Sequence, residues 1–199
     1  IIDPKTYKVI RTVKVGKEPQ HVVPSWDLKT LWVNNDLGNT LTPIDPRTGK
    51  FGKPVKVHDP YNLYFTPDGK YAVVMASADR QIVFRDAHTM KVHKAVNVGC
   101  EGVNHADWSA DGRTFVVSCE FSGSMLLVDT SAEKVLKKFQ LPRDFVNRRS
   151  HPMPQDAKIS PAGTTSYIAD MASNGAWVLS DNPKDCDKFQ LLNPAPGTP

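Results

Sequence analysis

A few polar residues stand at spacings that could do chemistry. His21, Asn62, His105 and Asp156 recur at intervals of 41, 43 and 51 residues. Two imidazoles, an amide and a carboxylate facing one cavity suit a divalent metal or a polar ligand. They equally suit the hydration of a wet channel and the capping of exposed backbone groups. Cys100 and Cys119 bracket His105, with Glu101 and Glu120 alongside. In an exported protein such a pair forms a disulfide; two inert thiols, or a sulfur and imidazole site of the kind copper favours, are the alternatives. The widest metal set is His21, His105, Cys100, Cys119 and Glu120, with copper or calcium as the candidate ion. Arg143, Arg148, Arg149 and His151 crowd the run RDFVNRRSHP, which either clamps an anion or forms a solvated loop. The candidate ligand-binding set is therefore His21, Asn62, His105, Asp156, Glu120, Arg148 and Arg149. No catalytic residue is assigned: the sequence holds no Cys-x-x-Cys-His haem attachment, no nucleophile elbow and no His-x-x-x-His pair.

Composition narrows the classes. The chain has 199 residues, 40% hydrophobic and 23% charged, with a formal net charge of +4. That balance is ordinary for a globular fold and too weakly basic for an extended nucleic-acid footprint, so nucleic acid is not an expected partner. No apolar run approaches the ~20 residues that span a bilayer as a helix. Three cysteines are too few for a disulfide scaffold, and Cys186 has no obvious mate. The opening Ile1-Ile2-Asp3 reads as the end of a strand, so the native N-terminus, with any export signal, is expected to lie further upstream.

The elements that must position these residues come from an internal repeat. His21 to Lys29, Asn62 to Lys70, His105 to Arg113 and Asp156 to Thr164 each read as an inner strand entering a turn. An apolar strand follows each one, then a third strand ending at Asp45, Asp86, Asp129 or Ser180, then a fourth. Gly, Pro, Asp and Asn punctuate them and no amphipathic helix intervenes. The expected class is all-β, a β-propeller of four-stranded blades, single-domain over 1–199, with blades at 19–57, 60–98, 103–141 and 154–192. Residues 1–15 supply a remnant, 1–3 and 8–15 being the last two strands of a preceding blade. About four and a half blades leave strand edges that further blades or another chain should cover. An Asp-Gly turn uses positive φ, which Gly accepts without steric cost; Leu28, standing where the other repeats have Gly, implies a different turn there.

Propeller connections alternate between two faces. The row from His21 to Asp156, the two cysteines, Glu120 and the arginine run fall on one face, at the channel mouth, and the Asp-Gly turns fall on the other. Trp26, Trp32, Trp108 and Trp177 read as packing between blades.

The second strands Leu31-Trp32-Val33-Asn34-Asn35, Tyr71-Ala72-Val73-Val74, Phe115-Val116-Val117-Ser118 and Tyr167-Ile168-Ala169-Asp170 resemble the YVTN repeat of bacterial propellers. So do the phrases Pro67-Asp-Gly-Lys70, Ile2 to Lys8 and Ile44 to Lys50. The resemblance covers nearly the whole chain and implies a ring of about seven blades and an extracellular or periplasmic location. Relatives of this kind include surface-layer proteins, lactonase relatives and haem- or copper-carrying reductase domains, so the fold does not fix the function. Two functions are expected from different classes. One is a non-catalytic binding or scaffold module that takes a protein or small molecule at the channel mouth. The other is an enzyme or redox cofactor carrier, lactonase-like or copper- or haem-binding, with its site at the same place.

Overall fold

The computed structural model describes residues 1–143, 151–180 and 189–192. Within them the chain is all-β, a β-propeller arc of four antiparallel four-stranded sheets, each made of consecutive strands. The first sheet is β1 (Pro19–Pro24), β2 (Leu31–Asn35), β3 (Thr40–Ile44) and β4 (Val55–Lys56). The second is β5 (Asn62–Phe65), β6 (Tyr71–Ala76), β7 (Gln81–Asp86) and β8 (Val92–Asn97). The third is β9 (Val103–Trp108), β10 (Thr114–Cys119), β11 (Ser124–Asp129) and β12 (Lys134–Gln140). The fourth is β13 (Pro154–Ile159), β14 (Thr165–Asp170), β15 (Gly175–Ser180) and β16 (Phe189–Leu192). The first strands of neighbouring sheets pack on one another, so β1, β5, β9 and β13 form the inner wall of the arc.

Why the second strands read as unbroken apolar runs follows from their burial on both sides. Side chains alternate across a strand, and in β6 Ala72, Val74 and Ala76 enter the core shared with the first sheet while Val73 and Met75 enter that shared with the third. In β10, Phe115, Val117 and Cys119 face the second sheet and Val116 faces the fourth. Trp177, Phe84 and Phe115 are wholly buried, each removing enough apolar surface from water to contribute about 2–3 kcal/mol. Among the described residues the fourth sheet has a neighbour on one side only: Tyr167 occupies the place of Val73 and Val116 and is 47% exposed. Counted from the left-handed turn residue, Tyr71 is second, Phe115 third and Tyr167 fourth. The Tyr-first alignment of the second strands therefore slides by a residue, and each slip exchanges the two faces.

The lower ends of the sheets carry the tight turns. Gly69, Gly112 and Gly163 lie at φ of 71°, 69° and 67°, and the N–H groups of Gly69 and Gly112 each donate to a carbonyl three residues back at 2.8 Å. Leu28 is a correction to the sequence reading. It adopts the same left-handed geometry, at φ 59°, and its N–H donates to the Ser25 carbonyl at 2.9 Å. The Ser25 hydroxyl donates to Asp27 at 2.8 Å, as Thr66 does to Asp68 and Ser109 to Asp111, and this brace imposes the turn on a leucine. Gly69 also needs its bare Cα, because an added Cβ would fall 2.4 Å from the Trp26 ring lying over it.

Two further expectations change. The strand expected at 51–57 shrinks to Val55–Lys56 plus an isolated Ile44–Phe51 bridge. Pro43 in the partner strand and Pro54 next to Val55 have no N–H to give a ladder. Residues 1–3 and 8–15 do not form two strands either; a single Ile2–Val9 bridge remains. The turn between them is nevertheless that of the other sheets, with Asp3 N donating to Lys8 O at 2.9 Å as Asp45 N does to Lys50 O.

Candidate functional site

At the upper ends of the sheets, the connections into β1, β5 and β9 each pass through a left-handed residue: Glu18 at φ 53°, Asp59 at 48° and Gly102 at 73°. This brings the opening residues of β1, β5, β9 and β13 around one point. Asn62 fixes its own orientation first, since its Oδ1 accepts from the Leu63 N–H at 2.9 Å. Its amide nitrogen is left to donate to the Tyr64 hydroxyl at 3.0 Å and to face His105 Nδ1 at 3.2 Å. His105 Nδ1 also lies 3.4 Å from the Tyr64 hydroxyl and 3.1 Å from Asp156 Oδ1.

One ring nitrogen thus meets an amide donor and a carboxylate acceptor. With His105 neutral, Nδ1 accepts from Asn62 and the proton sits on Nε2; with His105 charged, Nδ1–H donates to Asp156. Burial lowers the His105 pKa, and the nearby His21 and Lys158 add to the lowering, while Asp156 and Glu120 oppose it. The neutral form is the resident one near pH 7. His21 sits edge-on to His105, ring centres 5.4 Å apart, and its Nδ1 lies 2.9 Å from the Tyr61 carbonyl oxygen. Since a carbonyl only accepts, Nδ1 of His21 carries a proton and a neutral His21 presents Nε2 as an acceptor.

The other sequence candidates divide. Glu120 is buried, accepts from the Asn104 amide, and exerts its charge on His105 and Tyr61. Cys100 and Cys119 are joined in a disulfide with Cα atoms 5.9 Å apart, inside the apolar core between the second and third sheets. The five-residue metal set does not assemble: its two sulfurs bond each other, and among the described residues no three His, Cys, Asp or Glu side chains are grouped to hold an ion. The chemistry of the donors present at His105 fits neutral hydrogen bonding better than copper or calcium. Arg148 and Arg149 lie outside the described residues.

Residues the sequence reading passed over complete the arrangement. Tyr64 lies two positions after Asn62, hence on the same strand face, and Tyr61 directly precedes it. Burial raises the pKa of both phenols, so they remain neutral donors. Beside His21, Asp36 and Asp59 come together between the first two sheets. Asp59 is 6% exposed and accepts from the Asp79 N–H at 2.8 Å. Burial, with the charges of Asp36 and Asp79, pushes its pKa to about 6 even though that N–H pulls it down. Period-two counting would have found Tyr64. Nothing local marks the carboxyl pair.

The family model of the YNCE-like beta-propellers matches residues 1–101. Among solved structures, hydrazine synthase of Kuenenia stuttgartiensis superposes with a TM-score of 0.72 at 23% identity, over 94% of this chain and 53% of that one. The chain therefore spans about half the length of that relative, and the likeness is one of fold. No curated protein sequence matches the chain.

Proposed function

The chain belongs to the YNCE-like beta-propeller family, and from that premise we propose that it acts as a non-catalytic binding module, its ligand held at the channel mouth by His21, Asn62, His105 and Asp156. One observation carries this reading: side chains of the second and fourth sheets converge within 3.4 Å of one imidazole nitrogen of the third, with the His21 ring of the first sheet against it. Mouths of this kind bind through a few converging polar groups on a rigid scaffold. His105 offers an Nε2–H donor, neutral His21 an Nε2 acceptor and Tyr61 a phenol, which together suit a small neutral ligand bearing both a donor and an acceptor. Glu120 sits behind the ring, fixing Asn104, and Asp156 lies on the open side. The family supports an arc completed by further blades, and the uncovered face at Tyr167 is where the next would pack. The Cys100–Cys119 bond supports an extracellular or periplasmic location.

Thermal-shift screening of small polar compounds and short peptides, run in parallel on the wild-type chain and on His105→Phe, tests the proposal. Hits should stabilise the wild type and lose that effect in the variant. Hits that stabilise both equally would place binding elsewhere. A two-dimensional NMR titration checks the ring itself: His105 should titrate below the ordinary imidazole range, and Asp156→Asn should lower its midpoint further by removing the charge that favours the imidazolium.

A further inference from the structure

Arg85 is a charge in a place built for a hydrocarbon. By strand register it is the counterpart of Ile44, Val128 and Leu179 in the other three sheets. Val128 and Leu179 are core residues at 1% and 3% exposure. Arg85 is almost as deep, at 8%, opposite the small Ala72 where the third sheet has Phe115. One of its terminal nitrogens donates to the Met90 carbonyl at 2.8 Å, and its Nε has no partner. No described carboxylate pairs with it, and burial alone lowers its pKa. A guanidinium held this way is costly, because an uncompensated buried charge loses hydration that nothing replaces.

The side chain is not sealed in. It lines a cleft of about 430 Å³ between the first and second sheets, together with Asn39, Thr40, Lys56 and His58. On the side of the first sheet its wall is the turn into β3 and the residues that end and follow β4, from Lys56 to His58. Its wall contains no acid. Asp79, bonded to His58 of the wall at 3.1 Å, is engaged there, and Asp59 accepts the Asp79 N–H at 2.8 Å. Lys56 and Arg85 therefore face the cleft as two cations.

We propose that this cleft is a binding site for a small oxyanion, with the Arg85 guanidinium as its anchor and Lys56 as a second, solvent-side contact. Guanidinium groups bind phosphoryl, sulfuryl and carboxylate oxygens through paired N–H donors, and a half-enclosed site strengthens each bond. The site is separate from the channel mouth, and its failure would leave that reading untouched.

Isothermal titration of the full chain with inorganic phosphate, sulfate and acetate, at constant ionic strength against chloride, tests it. Saturable binding at one site is expected, with phosphate and sulfate ahead of acetate if the natural ligand is tetrahedral, and acetate ahead if it is a carboxylate. Arg85→Met should abolish binding while melting at or above the wild-type temperature in chloride, since it replaces an unpaired buried charge with a thioether of similar length. Arg85→Lys should weaken binding about tenfold, and Lys56→Ala severalfold. If Arg85→Met does not fold, these two variants decide the question. Absence of binding above chloride, or binding unchanged in the Arg85 and Lys56 variants, overturns the proposal.

Discussion

The two ends of the sheets solve the same backbone problem in different ways. At the lower end the left-handed turns of the first three sheets are each braced within their own repeat: Ser25 to Asp27, Thr66 to Asp68 and Ser109 to Asp111 are hydrogen bonds over two residues. At the upper end the bonds leap between repeats, from His21 to Tyr61 over 40 residues and from Asn62 to His105 over 43. Local bracing makes the lower end a set of clips, linked between the first two sheets by the Trp26 indole, whose N–H donates to the Pro67 carbonyl at 3.1 Å. Cross-sheet pairing makes the upper end one polar unit in which Asn62 and His105 are buried. Perturbations at the upper end should therefore be larger and more dependent on pH than those at the lower end.

The largest effect belongs to the upper end of the third sheet. Breaking the Cys100–Cys119 bond with the double substitution to Ala opens a loop of 19 residues in the unfolded chain, and should cost about 3 kcal/mol. Urea denaturation of the variant against the oxidised wild type measures it. A loss no greater than that from one local turn brace would erase the distinction between the two ends.

Asp59→Asn comes next, with the opposite sign. The folded-state pKa of Asp59 is raised, so its contribution is favourable below the unfolded value near 4 and is lost as pH rises to about 6. At pH 7.5 the amide removes a buried charge, keeps an acceptor for Asp79 N–H and tolerates the positive φ. The variant should be more stable by about 2 kcal/mol at pH 7.5 and no more stable at pH 3.5. Denaturation curves at the two pH values read this directly; a gain that persists at pH 3.5 would show that Asp59 is not the titrating partner of the pair. His105 works the other way. Its lowered pKa gives stability above about pH 6.5 that fades as pH falls, so the two groups should be separated by variant and not by pH alone.

The contrast also explains what the sequence could reveal. Strand order, the four sheets and the lower turns follow from patterns a few residues long: period two, Asp-Gly, a hydroxyl two places before an Asp. The row from His21 to Asp156 was legible because it repeats. Tyr61, Tyr64 and the Asp36–Asp59 pair were not, because their roles depend on which sheet lies alongside and how far it twists. The shortened β4 was overlooked for a related reason. Pro54 is tolerable in an edge strand, and only with Pro43 in the neighbouring β3 does the ladder fail. Arg85 is the sharpest case, an arginine whose meaning appears only when its register counterparts in the other three sheets prove to be aliphatics, two of them fully buried.

At the lower end, Ser109→Ala isolates one clip. The Ser109 hydroxyl donates to Asp111 at 2.7 Å and accepts from Thr114 N at 3.1 Å, so its loss should cost about 1 kcal/mol with little change between pH 5 and 8. A cost much above that, or a clear pH dependence, would mean that the lower turns communicate between sheets as the upper ones do.

The smallest effect is the most diagnostic of local bracing. Leu28 is 70% exposed and sits at φ 59° with a branched side chain, a conformation that costs an L-residue roughly 1 kcal/mol. Glycine relieves that strain but adds freedom to the unfolded chain, which returns part of the gain. If Ser25 and Asp27 alone hold the turn, Leu28→Gly should stabilise the chain by about 0.5 kcal/mol, seen as a small rise in Tm. A fall instead would mean that the Leu28 side chain adds packing or stiffness to the turn beyond the Ser25–Asp27 brace.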